Sequence, residues 1–223
     1  MVTFALVHGA WHDGWSWSRL EQRLGRLGHR TVSPTLPIDD VDASFGDYAA
    51  DVVAALAGTE DDVVAVGHSF AGRWLHLVAD SRPVALAVYL CARYPDRADQ
   101  PEPFHPDARA GDLRDELGRS CWSPAGARWM YGSLPDDLAA EAATHLRPQS
   151  FRMLELPPVE LSSRGSAAAI LCRDDPFFTP RYERWAADAL LGVRPHELDG
   201  GHFPMLEQPA RLAALLDELA RAA

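Results

Sequence analysis

The chain has 223 residues and a mass of 24.5 kDa, with 47% hydrophobic and 24% charged residues, an ordinary composition for one globular domain with a sizeable core. A net charge of −11 and an isoelectric point near 5.2 set up a field that repels polyanions, which argues against nucleic acid and anionic membranes and for a small neutral or weakly charged partner. All 21 basic residues are arginine, which removes lysine Schiff-base chemistry and lysine-anchored pyridoxal phosphate.

The first apolar stretch, Val2 to Val7, is short, with no basic region before it and no cleavage pattern after it, so it reads as a strand rather than a secretory signal or membrane span. Along the chain, Val- and Ala-rich runs alternate with amphipathic stretches. Strands are predicted at Thr3–Val7, Thr31–Pro34, Val63–Gly67, Ala85–Cys91, Ala167–Cys172 and Pro195–Leu198. Helices are predicted near Trp15–Leu27, Phe45–Leu56, Phe70–Asp80, Arg181–Leu190 and Pro209–Ala222. Six apolar strands with intervening helices predict an α/β fold, a mostly parallel, doubly wound sheet. Residues 97–164 break the alternation with prolines, charges and scattered aromatics. They read as a helical lid inserted before the acid-bearing strand, with helical pieces at Gly111–Leu117 and Pro135–His145, while 1–96 and 165–223 form the core domain. Cys91, Cys121 and Cys172 are widely spaced and odd in number, which suggests neither a disulfide framework nor a zinc site and favours a reducing, cytoplasmic setting.

Four segments carry the chemistry. The first strand ends in His8-Gly9-Ala10-Trp11, a loop from which a backbone N–H can be aimed at a developing oxyanion. The run Gly67-His68-Ser69-Phe70-Ala71-Gly72 puts a serine between a buried strand and a helix start, where a glycine two positions earlier permits a sharp turn that lifts the hydroxyl. Ala71 stands where a second glycine is usual, with Gly72 following it. Together these segments make Ser69 the nucleophile and the Ala10 and Phe70 amides the oxyanion hole. Next, Leu171-Cys172-Arg173-Asp174-Asp175 ends a buried strand in two acids, either of which could orient an imidazole. Last, Gly200-Gly201-His202-Phe203-Pro204 offers His202 on a flexible, exposed loop as the base. The order Ser, Asp, His at matching strand ends is far more specific than any one segment.

These motifs, spread over nearly the whole chain, resemble the α/β-hydrolase superfamily, in particular the compact branch of plant methylesterases, hydroxynitrile lyases and small bacterial hydrolases. In that branch the acid follows a Gly or Cys at the strand end by three residues and precedes a tryptophan by ten. Both spacings, from Cys172 and from Trp185, select Asp175. The resemblance implies a serine hydrolase of the carboxylic ester type working through an acyl-enzyme, with no metal or cofactor. The lyase branch places a lysine above the nucleophile, and this chain has no lysine.

Substrate choice is assigned to the lid and the loop after Ala10. Trp11, His12, Phe70, Trp122, Trp129, Met130 and Phe151 are the candidates to line an apolar pocket suited to an apolar or aromatic small molecule. The expected partner is thus a small-molecule substrate, with no nucleic acid or membrane partner; a homodimer is compatible. Two rival readings keep the fold. One is a biosynthetic tailoring enzyme using the same site for thioester cleavage, cyclisation, lactonisation or a carbon–carbon bond change, and the other is a non-catalytic ligand receptor.

Overall fold

The computed structural model describes residues 1–150, 152, 161 and 165–223. Eight strands occur among them: β1 (Thr3–Val7), β2 (Arg30–Val32), β3 (Val63–His68), β4 (Leu86–Leu90), β5 (Leu113–Arg114), β6 (Ser120–Cys121), β7 (Ala167–Cys172) and β8 (His196–Leu198). Six of them form one sheet in the order β2-β1-β3-β4-β7-β8 with every pairing parallel. Every residue of β1, β3 and β4 is buried, as both faces of a parallel sheet must be when helices cover them. The edge strands β2 and β8 carry the exposed positions.

The helices cover the two faces through stripes of apolar residues at helical spacing. Helix 45–55 buries Phe45, Tyr48, Ala49 and Val52, and its start is fixed by a reciprocal Ser44–Asp47 capping box. Helix 18–26 turns Leu20 and Leu24 inward, towards the Leu212 and Leu216 side of helix 209–222. Helix 180–191 begins on Thr179 and Pro180 and ends on Gly192 in the left-handed conformation. No helix among the described residues is long and apolar enough to cross a membrane.

Two predicted helices fold otherwise. Residues Gly111–Leu117 form part of the antiparallel β5–β6 hairpin, because Asp115 accepts the amides of Leu117 and Arg119 and Gly118 has a φ of +74°. This is turn chemistry, competing with the helix for the same backbone donors. The span Phe70–Asp80 is a tight 3₁₀ turn at Ser69–Arg73 followed by a short helix, His76–Ser81. Helix 124–130, capped by Ser123 with Pro124 at its first position, was not anticipated, whereas helix 136–144 lies within Pro135–His145.

The segment between β4 and β7 is bound to the loops at the sheet's carboxyl end. Arg147 donates from its amide to the Trp11 carbonyl at 2.8 Å and from Nη1 to the Leu36 carbonyl at 2.9 Å, and Ser150 N donates to Ile38 O at 2.7 Å. His105 N and Thr179 N exchange bonds with Phe177 O and Pro103 O.

Beneath the acid-bearing strand end, Glu183 is only 3% exposed and its Oε2 has no partner among the described residues. Burial, and then the charge of Asp175, push its carboxyl well above the usual carboxylate range. A raised folded value means that the contribution is fully present below the unfolded pKa of about 4.5 and is lost as pH rises towards the folded one, at about 1.4 kcal/mol per pH unit. Glu183→Gln, which keeps the shape without the ionisation, should therefore melt above the wild type at pH 8 and converge with it near pH 4.5. Equal melting differences at both pH values would contradict a buried neutral carboxyl.

Candidate active site

The parallel register brings the carboxyl ends of five strands into one row: Val7 pairs with Gly67, His68 with Leu90, Leu90 with Ile170, and Cys172 with Leu198. The chain runs from β1 outward to β2 and then back across to β3, so a crevice opens where the order reverses. Ser69 follows β3 at that crevice with a φ of +52°. Left-handed backbone at a non-glycine residue is strained, and here surrounding contacts hold it. Arg93 N donates to Ser69 O at 2.9 Å. A Cβ at Gly72 would lie 2.6 Å from Arg93 O and 2.8 Å from the Ala92 Cβ, so the glycine required for close packing is at 72, and position 71 accommodates a fully buried alanine.

The loop after β1 presses directly on this turn. A Cβ at Gly9 would sit 2.9 Å from the Ser69 Cβ and 3.2 Å from His68 Nδ1. Two buried imidazoles set the loop's path. His8 donates from Nδ1 to Gly9 O at 2.8 Å and accepts from Leu36 N at Nε2, 3.0 Å. His12 donates from Nδ1 to Ala10 O at 2.6 Å, with Tyr131 Oη 2.8 Å from its Nε2. Burial drives the pKa of His8 down to about 3 and that of His12 to about 4, so each ring is neutral with one donor and one acceptor nitrogen. Burial and the neighbouring imidazoles of His202, His12 and His8 likewise hold His68 well below the ordinary histidine value; its Nε2 is 2.9 Å from His202 O. With the Ala10 amide as the oxyanion donor expected from the sequence, Gly9→Val should displace it and lower kcat/KM by about 10²-fold, the scale of losing one such donor. Gly25→Ala, with nothing within 4 Å of the new Cβ, should leave the rate unchanged; a Gly9→Val enzyme of wild-type rate would contradict the role given to this loop.

Asp175 is the aspartate that meets His202. Its Oδ2 lies 2.6 Å from His202 Nδ1, and its Oδ1 accepts from Phe177 N at 2.7 Å and Phe178 N at 3.1 Å. Three N–H donors thus converge on a carboxylate that is 1% exposed and fix its orientation. Asp174 instead accepts from Gly200 N at 3.2 Å on the surface. His202 is itself only 3% exposed, which corrects the flexible, exposed loop expected for it. Gly200 adopts a φ of +98°, and a Cβ at Gly201 would strike Ser133, so the glycine pair serves close packing. The Phe177 and Phe178 rings then sit 4.6 and 5.6 Å from the imidazole.

Cys91 joins Asp175 and His202 in a buried group whose ligand-type atoms lie within 4.8 Å of one another. Burial and its neighbour Cys172 raise the Cys91 thiol well above its ordinary value, which opposes the thiolate that a metal ion would require.

A cavity of about 420 Å³ opens over Ser69. Among the expected lining residues, Trp11, His12, Phe70 and Met130 reach it. Trp122 and Trp129 do not line it. They stack on each other at 6.1 Å and meet Trp11 and Phe177 edge-on at 5.3 and 5.0 Å, forming a second layer behind the wall. Phe151 lies outside the described residues. Sequence reasoning missed Phe177, Phe178 and Phe203 as well as Arg73, Arg93 and Arg109, all of which line the cavity. The Asp-Pro-Phe-Phe run was a usable signal for the first two, since a carboxylate held by the amides two and three residues on carries their side chains with it. The arginines had no comparable signal.

Comparison with known proteins agrees with this architecture. The sequence profile of the alpha/beta hydrolase family matches residues 4–215. Salicylic acid-binding protein 2 of Nicotiana tabacum is 28% identical over 97% of this chain and 96% of its own length. Methylesterase 2 of Arabidopsis thaliana is 27% identical over 94% and 92%. The crystal structure of polyneuridine aldehyde esterase superposes with a TM-score of 0.80 over 99% of both chains at 21% identity, a likeness of fold.

Proposed function

Because the chain belongs to the alpha/beta hydrolase family and is a hydrolase-class enzyme like its methylesterase relative, we propose that it cleaves carboxylic esters of small molecules with Ser69 as nucleophile, His202 as base and Asp175 as the acid that orients it. The observation that carries this reading is a buried carboxylate 2.6 Å from the His202 ring, beside a cavity into which a left-handed turn lifts Ser69. His202 takes the hydroxyl proton as Ser69 attacks the ester carbonyl. The amides of Ala10 and Phe70 receive the oxyanion, and His202 returns the proton to the departing alcohol. Water then enters along the same path and attacks the acyl carbonyl as His202 takes its proton; His202 passes that proton to the Ser69 oxygen as the acyl bond breaks and the acid leaves. No step in this sequence calls for a metal or cofactor.

The cavity volume falls within the range of small-molecule sites, and the net charge of −11 disfavours nucleic acid and anionic membranes. Three free cysteines suit a reducing, cytoplasmic compartment. The deciding experiment is reaction with a fluorophosphonate probe followed by peptide mass spectrometry, alongside turnover of p-nitrophenyl esters. The expected result is one adduct, on Ser69, and measurable hydrolysis. Labelling without hydrolysis would move the protein to the tailoring class of reactions, and no labelling would remove Ser69 as nucleophile.

A further inference from the structure

The wall of the cavity over Ser69 is mostly apolar, yet its described lining includes three guanidinium groups, Arg73, Arg93 and Arg109, and no carboxylate. The two imidazoles in the wall, His12 and His68, are held neutral by burial. In a chain of net charge −11, this is a local inversion of sign among the described lining residues. Low-dielectric walls intensify such a field.

Arg93 is the best placed of the three. Its own amide clamps the Ser69 carbonyl at 2.9 Å, so its side chain starts beside the nucleophile turn. Its guanidinium lies over the Phe104 and Tyr182 rings at 4.9 and 5.8 Å, and its Nη2 pairs with Asp96. Arg73 also lies near that carboxylate, at 3.7 Å. Meanwhile Arg93 Nη1 is buried without an acceptor among the described residues. The Arg93 side chain keeps 14% of its surface accessible and lines the cavity, so an anionic oxygen of a ligand there would meet the guanidinium in a charge-assisted bond. Arg109, an exposed lining residue, lies over the Trp129 ring at 5.6 Å and adds to the positive field.

We propose that the site takes esters whose apolar body ends in a carboxylate, with Arg93 as the residue that binds it. This inference rests on the ester-hydrolase reading above and refines its substrate class. The planar fork of arginine suits a carboxylate, and an apolar linker suits a wall that includes Phe70, Phe104, Phe177, Phe178 and Phe203.

The test pairs two substrates of equal chain length, mono-p-nitrophenyl adipate and p-nitrophenyl hexanoate. The wild type should prefer the adipate ester by tenfold or more in kcat/KM at low ionic strength, with a smaller preference at about 0.5 M salt. Arg93→Met should cut that ratio at least tenfold, and Arg93→Lys should keep more of it. A wild-type ratio of one or less overturns the proposal without any variant. An unchanged ratio in a folded Arg93→Met does so as well. Binding separates this failure from failure of the hydrolase reading: Ser69→Ala should bind monomethyl adipate at least tenfold more tightly than methyl hexanoate. Binding preference without turnover of either ester upholds the anion site and sinks the hydrolase reading. Turnover of both esters without preference sinks the anion site alone, and neither turnover nor binding sinks both.

Discussion

Ser69→Ala is expected to lower kcat/KM for p-nitrophenyl esters by about 10⁴ to 10⁶-fold and to abolish fluorophosphonate labelling. The size follows from removing the covalent step: without the hydroxyl, His202 has no proton to take, and the remaining rate comes from water in a cavity that still offers the Ala10 and Phe70 amides. Alanine carries about the same left-handed backbone penalty as serine at a φ of +52°, so thermal stability should move by less than about 1 kcal/mol. A loss of activity with wild-type melting is thus a chemical result and not an unfolded enzyme. Full activity in Ser69→Ala would instead assign the chemistry to His202 acting as a base without acylation.

The sheet was legible because its central strands are buried on both faces, which leaves an unbroken apolar run in the sequence. Thr3–Val7 and Ala167–Cys172 coincide with the observed strands to the residue, and the other four agree within two. The segment between β4 and β7 was less legible because its conformation is decided by local side-chain competition and tertiary packing. Asp115 and Gly118 convert what looked like a helix into a hairpin, and only the contact between Gly111 and β6 explains the glycine there. Ser123-Pro124 is a helix start that the sequence does carry.

The site divides along the same physical line. Groups placed by the backbone, such as the Ser69 turn and the amides of Ala10 and Phe70 proposed for the oxyanion, leave a signature in glycine spacing and strand position. Groups that act through distant side-chain contacts leave almost none. His8 is a case: its role is to accept from Leu36 N and donate to Gly9 O, a bridge between two loops 28 residues apart in sequence. Arg93 is another, since its guanidinium depends on Asp96, Phe104 and Tyr182. Trp122 and Trp129 show the reverse error. Large aromatics in an insertion look like pocket walls, but here they support the residues that form one.

Asp175→Asn should lower kcat by about 10⁴-fold, whereas Asp174→Asn should change it by less than about threefold. The contrast is large because the two amides of Phe177 and Phe178 decide how an asparagine must sit. Both N–H groups require an oxygen acceptor at the Oδ1 position, so the new NH₂ is forced into the Oδ2 position, 2.6 Å from His202 Nδ1. A donor there obliges Nδ1 to accept and moves the ring proton to Nε2. The nitrogen needed to deprotonate Ser69 is then already protonated, and the wrong tautomer is locked in by hydrogen bonds that would otherwise be orphaned in a buried site. Asp174 has no such geometry. Its carboxylate accepts from Gly200 N at 3.2 Å in contact with solvent, and an asparagine oxygen accepts that bond equally well. Steady-state kinetics of the two variants on one p-nitrophenyl ester decide the matter: a larger fall in kcat at Asp174 would mean that the 2.6 Å contact holds the loop and that the orienting acid lies elsewhere.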